Sequence, residues 1–237
     1  MKIGILAAGI TPDSLLSEYP SYADMFAIQL GKIEPSLEFR TYDVRLDQFP
    51  ESAKECDGWL ITGSRSNVDE ALPWMLQLAD LVREIDQLKQ PLAGICFGHQ
   101  IIAYALGGHV EKFEGGWGVG IHSYAVTDDS VPGIPQGETL SICAFHQYQV
   151  TAIPANARVF ARSDFCEYAG LIYEDRILTF QAHPEFSKVY ESALLDLHGN
   201  ALLPEDVTKE AYQSVESVAI DSPKIMVWIA SFLHRAS

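Results

Sequence analysis

An open, mostly parallel α/β sheet with helices on both faces and an antiparallel extension at one edge is predicted by two observations. Short apolar runs alternate with longer helix-like stretches through the first part of the chain, and from Val110 onward the pattern changes to closely spaced short strands separated by turns. Alternation of the first kind places successive strands parallel, joined by right-handed crossovers that leave helices on both faces. The first strand candidate, Ile3 to Leu6, lies in Met1-Lys2-Ile3-Gly4-Ile5-Leu6-Ala7-Ala8-Gly9, an apolar segment that closes in glycine. A helix-like stretch from Tyr22 to Leu30 follows, and then a strand from Leu37 to Val44. Trp59 to Thr62 is a buried strand running into Gly63, and a helix from Leu72 to Leu88 leads to the apolar strand Leu92 to Ile95.

The second half is expected to supply strands at Ile121 to Val126, Thr139 to Ala144, Arg158 to Ala161, Tyr168 to Tyr173 and Arg176 to Phe180. Beyond Glu185 the chain reads as helical from about residue 187. Leu203-Pro204-Glu205-Asp206 marks one helix start, with acidic residues in the first turn. Another helix, Pro223 to Leu233, carries Ile225, Val227, Trp228, Ile229, Phe232 and Leu233 on a wide apolar surface expected to pack on its own domain.

The composition bounds the class of protein. At 237 residues, with 48% hydrophobic residues and no linker or internal repeat, residues 1–237 are expected to form a single domain around one sizeable core. The apolar start is too brief for a signal peptide, and no stretch approaches the roughly 18 apolar residues of a membrane span, so the protein is expected in the cytoplasm. Asp and Glu number 32 against 16 Lys and Arg, an excess that repels phosphate backbones and argues against nucleic acid as a partner. The four cysteines, Cys56, Cys96, Cys143 and Cys166, show no paired spacing, which suggests neither a disulfide framework nor a zinc site.

One of those cysteines has a reactive setting. In Gly94-Ile95-Cys96-Phe97-Gly98-His99-Gln100, a strand ends in glycine, a nucleophile follows, and a second glycine precedes a helix-like stretch from Ile101 to Leu106. That is the pattern of a nucleophile elbow: glycines flank a turn too tight for side chains, and the helix N-terminus favours thiolate over thiol. The plain alternative is a small buried hydrophobe before a glycine turn. Thr179-Phe180-Gln181-Ala182-His183-Pro184-Glu185-Phe186 decides between them. His183 and Glu185, held in a turn by Pro184, supply the base that a cysteine nucleophile needs and the carboxylate that orients such a base.

With both motifs complete and in this order, the chain resembles the class I glutamine amidotransferases, whose elbow reads Gly-x-Cys-x-Gly-x-Gln and whose base and orienter read His-Pro-Glu. Gly58-Trp59-Leu60-Ile61-Thr62-Gly63-Ser64 agrees, lying where members of that family carry the loop of an oxyanion hole. The resemblance runs from Met1 to about Glu185 and implies a flavodoxin-like fold in which the antiparallel strands return His183 toward Cys96. It implies catalytic roles for Cys96, His183 and Glu185, and an oxyanion hole formed by the backbone N–H groups of Ser64 and Phe97. Substrate contacts are implied for Gly63, for Gln100 and, at the position of a substrate-binding stretch in relatives, for His146 or Gln147 in Phe145-His146-Gln147-Tyr148, against simple strand-end packing. No cofactor and no metal are implied.

Two features depart from the family's commonest pattern. Gly63-Ser64-Arg65 stands where many members have Gly-Gly-Pro, and Phe145-His146-Gln147-Tyr148 replaces a serine-histidine-glycine-aspartate stretch. The glycine-rich run Gly115-Gly116-Trp117-Gly118-Val119-Gly120 lacks the lysine and following helix of a phosphate loop, although Trp117 is a candidate wall of the substrate pocket. His99 is read as structural, and His109, His122, His198 and His234 as surface or packing residues. Three functions remain open. A free-standing glutaminase, similar to the glutaminase part of guanylate synthetase, would take glutamine and pass ammonia to a partner synthetase. A γ-glutamyl peptidase would act on glutathione-like conjugates. A binding module would keep the fold without turnover.

Overall fold

The computed structural model describes residues 1–128, 131 and 133–235. In chain order the elements are β1 (Lys2–Leu6), α1 (Tyr22–Ile33), β2 (Glu38–Tyr42), β3 (Gly58–Ile61), α2 (Pro73–Gln87), β4 (Leu92–Ile95) and α3 (Phe97–Ala105). There follow β5 (His109–Lys112), β6 (Gly118–Val126), β7 (Thr139–His146), β8 (Tyr148–Ala152), β9 (Ala157–Arg162), β10 (Gly170–Tyr173) and β11 (Ile177–Phe180). Three helices complete the described residues: α4 (Lys188–Leu202), α5 (Glu205–Ser217) and α6 (Ser222–Arg235).

Nine strands form one sheet in the order β2-β1-β3-β4-β11-β10-β9-β6-β7. Pairing is parallel from β2 through β1, β3 and β4 to β11, and antiparallel from β11 outward to β7. Because β11 lies beside β4 with Phe180 opposite Ile95, the chain leaves both strands at the same end of the sheet, and the segments that follow them meet there. Carboxyl ends of parallel strands are where open sheets of this kind bind ligands.

Local signals open α1 and α2, and apolar faces seat the helices on the sheet. Ser21 caps α1 by accepting the Asp24 N–H, and Pro73 opens α2, where a missing N–H costs nothing. Phe26 and Leu30 of α1 join Ile225, Ile229 and Leu233 of α6 over Ile3, Ile5 and Leu60 on one face of the sheet. Leu78, Val82 and Ile85 of α2 and Ile101 and Ile102 of α3 cover Leu6, Trp59 and Ile61 on the other. A third cluster, with Val119, Ile121 and Cys143 under Tyr190, Leu194, Ala211 and Val215, seats α4 and α5 on β6 and β7. The apolar surface of α6 is thus mostly spent on its own sheet, with Val227 left exposed.

Several boundaries differ from the expected ones for physical reasons. The strand expected at Leu37 to Val44 stops at Tyr42, because Val44–Leu46 coils into a 3-10 turn that ends at Asp47 in the left-handed region (φ 57°). The helix expected from Ile101 begins at Phe97, directly after the elbow. β6 starts within the glycine-rich run, so its expected start at Ile121 moves to Gly118. The separate antiparallel pair of β5 and β8, with β6 and β7 between them in the chain, is not expected from the sequence. Four- and five-residue strands that mix charged and apolar residues carry no clear alternation.

Candidate active site

The elbow is built as its glycines require. Cys96 has φ 52° and ψ −102°, a left-handed conformation that costs an L-residue roughly 1–3 kcal/mol and persists only where packing enforces it. A Cβ on Gly94 would lie 2.8 Å from the Gly98 oxygen, and one on Gly98 would lie 2.4 Å from the Ile61 oxygen, so neither position admits a side chain. The Cys96 N–H donates to the Phe180 oxygen (2.8 Å), and the Cys96 carbonyl accepts the Gln100 N–H (3.0 Å), which ties the turn to β11 on one side and α3 on the other.

His183 arrives from β11. Its backbone N–H donates to the Cys143 oxygen at 2.8 Å, an antiparallel bridge that anchors the turn to β7. The ring stacks on Phe186, with centroids 4.1 Å apart and planes within 5°. Nδ1 lies 2.8 Å from Glu185 Oε1, and both side chains are buried. Burial opposes the imidazolium, but the charges of Glu185 and Cys96 outweigh it and hold the His183 pKa well above the ordinary histidine value. Glu185 is fixed in turn through its backbone oxygen, which accepts Gln29 Nε2–H at 2.9 Å.

Gly63 lies against the histidine and the cysteine. A Cβ there would sit 2.6 Å from His183 Cε1 and 3.6 Å from Cys96 Cβ. The loop is clamped from two sides. Thr62 Oγ1 donates to the Gly63 oxygen (3.1 Å) and accepts the Ala8 N–H (3.0 Å), and a Cβ on Gly9 would lie 2.4 Å from the same Gly63 oxygen. The Ser64 side chain turns away into a local bond, accepting the Ser66 N–H at 3.1 Å.

The substrate-contact candidates divide. Gln100 is buried and spends its amide on the protein, donating to the Tyr148 oxygen (2.7 Å) and to Gln181 Oε1 (3.1 Å). His146, at the end of β7, is buried with neither ring nitrogen hydrogen-bonded among the described residues. Burial pushes its pKa down to about 3, so the ring is neutral. Gln147 is half-buried, and its backbone oxygen accepts the Phe113 N–H at 2.8 Å. Trp117 packs edge-on to Phe145 and lines a cavity of about 340 Å³ with His122, Phe165 and Ser214. Neither Cys96 nor His183 borders that cavity.

Sequence reasoning missed four neighbours. Gln181 Nε2 lies 3.7 Å from Cys96 Sγ, close enough for a weak N–H···S contact. Gly9 was visible only as the end of a strand. Tyr22, at the start of α1, packs its ring against Phe186, and burial, followed by Tyr190 and then the charges of Glu185 and Cys96, pushes its phenol pKa up. Glu191 is wholly buried in α4. The signal for Gln181 was its place two residues before His183; for Tyr22 and Glu191 no local pattern exists. Among the described residues, no cluster of His, Cys, Asp and Glu is arranged to hold a metal ion, and no helix is long and apolar enough to cross a membrane.

The site therefore combines a strained cysteine elbow at the carboxyl end of a parallel sheet with a buried histidine paired to a carboxylate. Residues 15–196 match the family model described as glutamine amidotransferase class-I, and the chain belongs to that family. It is similar to Gamma-glutamyl peptidase 2 of Arabidopsis thaliana, with 30% identity over 94% of this chain and 92% of that protein. A subunit of the glutamine-hydrolyzing GMP synthase of Methanococcoides burtonii is 32% identical over 56% of this chain and 66% of its own. In fold it matches a glutamine amidotransferase from Methylobacillus flagellatus with a TM-score of 0.77 at 18% identity, covering all of this chain (100%) and 94% of that one.

Proposed function

We propose that this chain hydrolyses γ-glutamyl amide bonds through a thioester on Cys96. The observation that supports this reading most strongly is the strained Cys96 backbone beside a buried His183–Glu185 pair. In the proposed sequence the Cys96 thiolate attacks the side-chain carbonyl carbon of a γ-glutamyl group. The carbonyl π pair moves onto oxygen, where the N–H groups of Ser64 and Phe97 receive it. Donors of this sort contribute on the order of 3 kcal/mol each to the transition state. Collapse breaks the C–N bond, and the leaving amine takes its proton from the His183 imidazolium. His183 then accepts a proton from water as it attacks the thioester, the C–S bond breaks, and glutamate leaves with Cys96 restored. Glu185 keeps Nδ1 protonated, so that Nε2 is the atom that exchanges the proton. Gly63, the Gln100 oxygen, His146 and Gln147 are proposed to contact the glutamyl end. Residues 1–237 would act as one cytoplasmic domain without a cofactor.

Glutamine and a γ-glutamyl peptide share the bond that breaks and differ in what leaves. The glutaminase reading adds a partner synthetase that accepts the ammonia. The peptidase reading is favoured by likeness to Gamma-glutamyl peptidase 2 over nearly the whole of both chains. Steady-state hydrolysis of glutamine and of a γ-glutamyl tripeptide by the purified protein separates them. Glutamine turnover by the protein alone is expected to be slow, because a side chain at Ser64 restricts the loop and one misaimed oxyanion donor costs about 10²- to 10³-fold. Fast glutamine turnover without a partner contradicts that expectation, fast peptide turnover with slow glutamine turnover identifies a peptidase, and turnover of neither fits a glutaminase that needs its synthetase or the binding module.

Gly63 offers a second check. A methyl group at 2.6 Å from His183 Cε1 must displace either the ring or the loop. Gly63→Ala is therefore expected to lower kcat about 10²-fold, since displacing a reacting group by about 1 Å has that effect, while circular dichroism and thermal melting stay close to wild type. Wild-type kcat in this variant would show that the loop does not bear on the imidazole.

A further inference from the structure

α4 carries a carboxyl group that the reaction does not use. Glu191 is fully buried, with 0% of its surface exposed. Oε1 accepts the Gly120 N–H at 3.0 Å, and Oε2 has no hydrogen-bond partner among the described residues. Gly120 has φ 84°, and a Cβ on it would meet Ser214 Oγ at 2.5 Å and the Ala211 Cα at 2.8 Å, so β6 is distorted here and pressed against α5. The next N–H, that of Ile121, donates to Ser214 Oγ at 2.9 Å. Two consecutive donors of β6 are therefore satisfied by side chains of α4 and α5.

That distortion sits one strand away from the proposed base. Gly120 pairs with Ala144 and Ile121 with Cys143 across β6 and β7, and the Cys143 oxygen accepts the His183 N–H at 2.8 Å. We propose that Glu191 is a positioning residue for the His183 imidazole: by holding Gly120 it fixes β6, and through β7 it fixes the Cys143 carbonyl on which the His183 backbone hangs. The inference rests on the reading of His183 as the base.

Glu191 acts as a neutral acid. Burial pushes its pKa up to about 8, against the Gly120 hydrogen bond and the charge on His183, with Glu185 adding to the rise. The other ionisable groups that feel it are Cys143 of β7, Tyr124 of β6 and, on its own helix, Tyr190, while α5 contributes the uncharged Ser214 at the same distortion. When Glu191 ionises, its negative charge favours the His183 imidazolium. The alkaline limb of the kcat/KM profile in the wild type should therefore lie at higher pH than in a variant that cannot ionise.

Glu191→Leu and Glu191→Gln, each with kcat, KM and pH profiles for γ-glutamyl hydrolysis, test the inference. The leucine variant removes the acceptor and is expected to lose about 10²-fold in kcat with KM within about twofold. Glutamine restores a neutral acceptor for Gly120; it is expected to recover kcat to within about tenfold of wild type and to move the alkaline limb to lower pH. A folded leucine variant with wild-type kcat overturns the inference. So does a glutamine variant whose pH profile superimposes on wild type, a result that decides the matter even if the leucine variant fails to fold. Alkylation of Cys96 by iodoacetamide, mapped by mass spectrometry on the same samples, separates this outcome from failure of the active-site reading. A wild-type Cys96 without pH-dependent reactivity overturns both, whereas a reactive wild-type thiol with unchanged variants overturns the role of Glu191 alone.

Discussion

Cys96→Ala is expected to lower kcat for γ-glutamyl hydrolysis by about 10⁶-fold, the size of loss seen when the nucleophile of a comparable catalytic unit is removed. Alanine meets the same steric conflict at φ 52° as cysteine does, so the elbow strain is unchanged and the fold should survive. The residual rate would come from binding and from the oxyanion donors. None of the other thiols offers a substitute. Cys56, Cys143 and Cys166 are all buried, and burial pushes all three pKa values up, that of Cys166 to about 12. Steady-state kinetics of the folded variant provide the check, and retention of a tenth of wild-type kcat would point to a different nucleophile.

Glu185→Gln is expected to cost about 10⁴-fold in kcat, because an amide nitrogen facing Nδ1 at 2.8 Å favours the tautomer with its proton on the wrong nitrogen. The same substitution removes a charge that holds the His183 pKa up. The sign for stability follows from linkage: a histidine whose pKa is raised on folding contributes stability that is fully present below its unfolded value, about 6.5, and is lost as pH rises through the elevated folded value. Thermal melting of the wild type should therefore fall across that alkaline window relative to Glu185→Gln. Parallel melting curves across the window would show that Glu185 does not hold the proton on His183. A kcat within tenfold of wild type would remove Glu185 from the mechanism.

The parts of the molecule that could be read from residues are those where the backbone itself limits the choices. Gly94 and Gly98 announce the elbow because carbonyl oxygens crowd the positions their Cβ atoms would occupy, and Pro184 announces a turn because it cannot extend a ladder. β1, β3, β4 and β11 are apolar runs buried on both faces, and such runs stand out from their polar flanks. What was not readable depends on partners distant in sequence. β5 and β8 are defined by pairing with each other rather than by pattern, and Gly9 matters only because β1 and β3 are neighbours whose loops meet. Glu191 looks like any helix carboxylate until α4 is laid on β6. Gln100 shows the converse: the motif marked it for substrate, and its amide nitrogen is bonded to Tyr148 and Gln181, whose positions no local reading supplies.

The proposal of a thioester on Cys96 is tested most directly by covalent capture. A γ-glutamyl diazoketone, in which the scissile amide is replaced by an electrophilic carbon, should alkylate the wild-type protein once per chain as activity is lost. Peptide mapping should place the label on Cys96, protection by excess substrate should slow the reaction, and Cys96→Ala should remain unlabelled. Loss of activity with the label on another residue, or full turnover in a protein whose Cys96 is already blocked, would contradict the account.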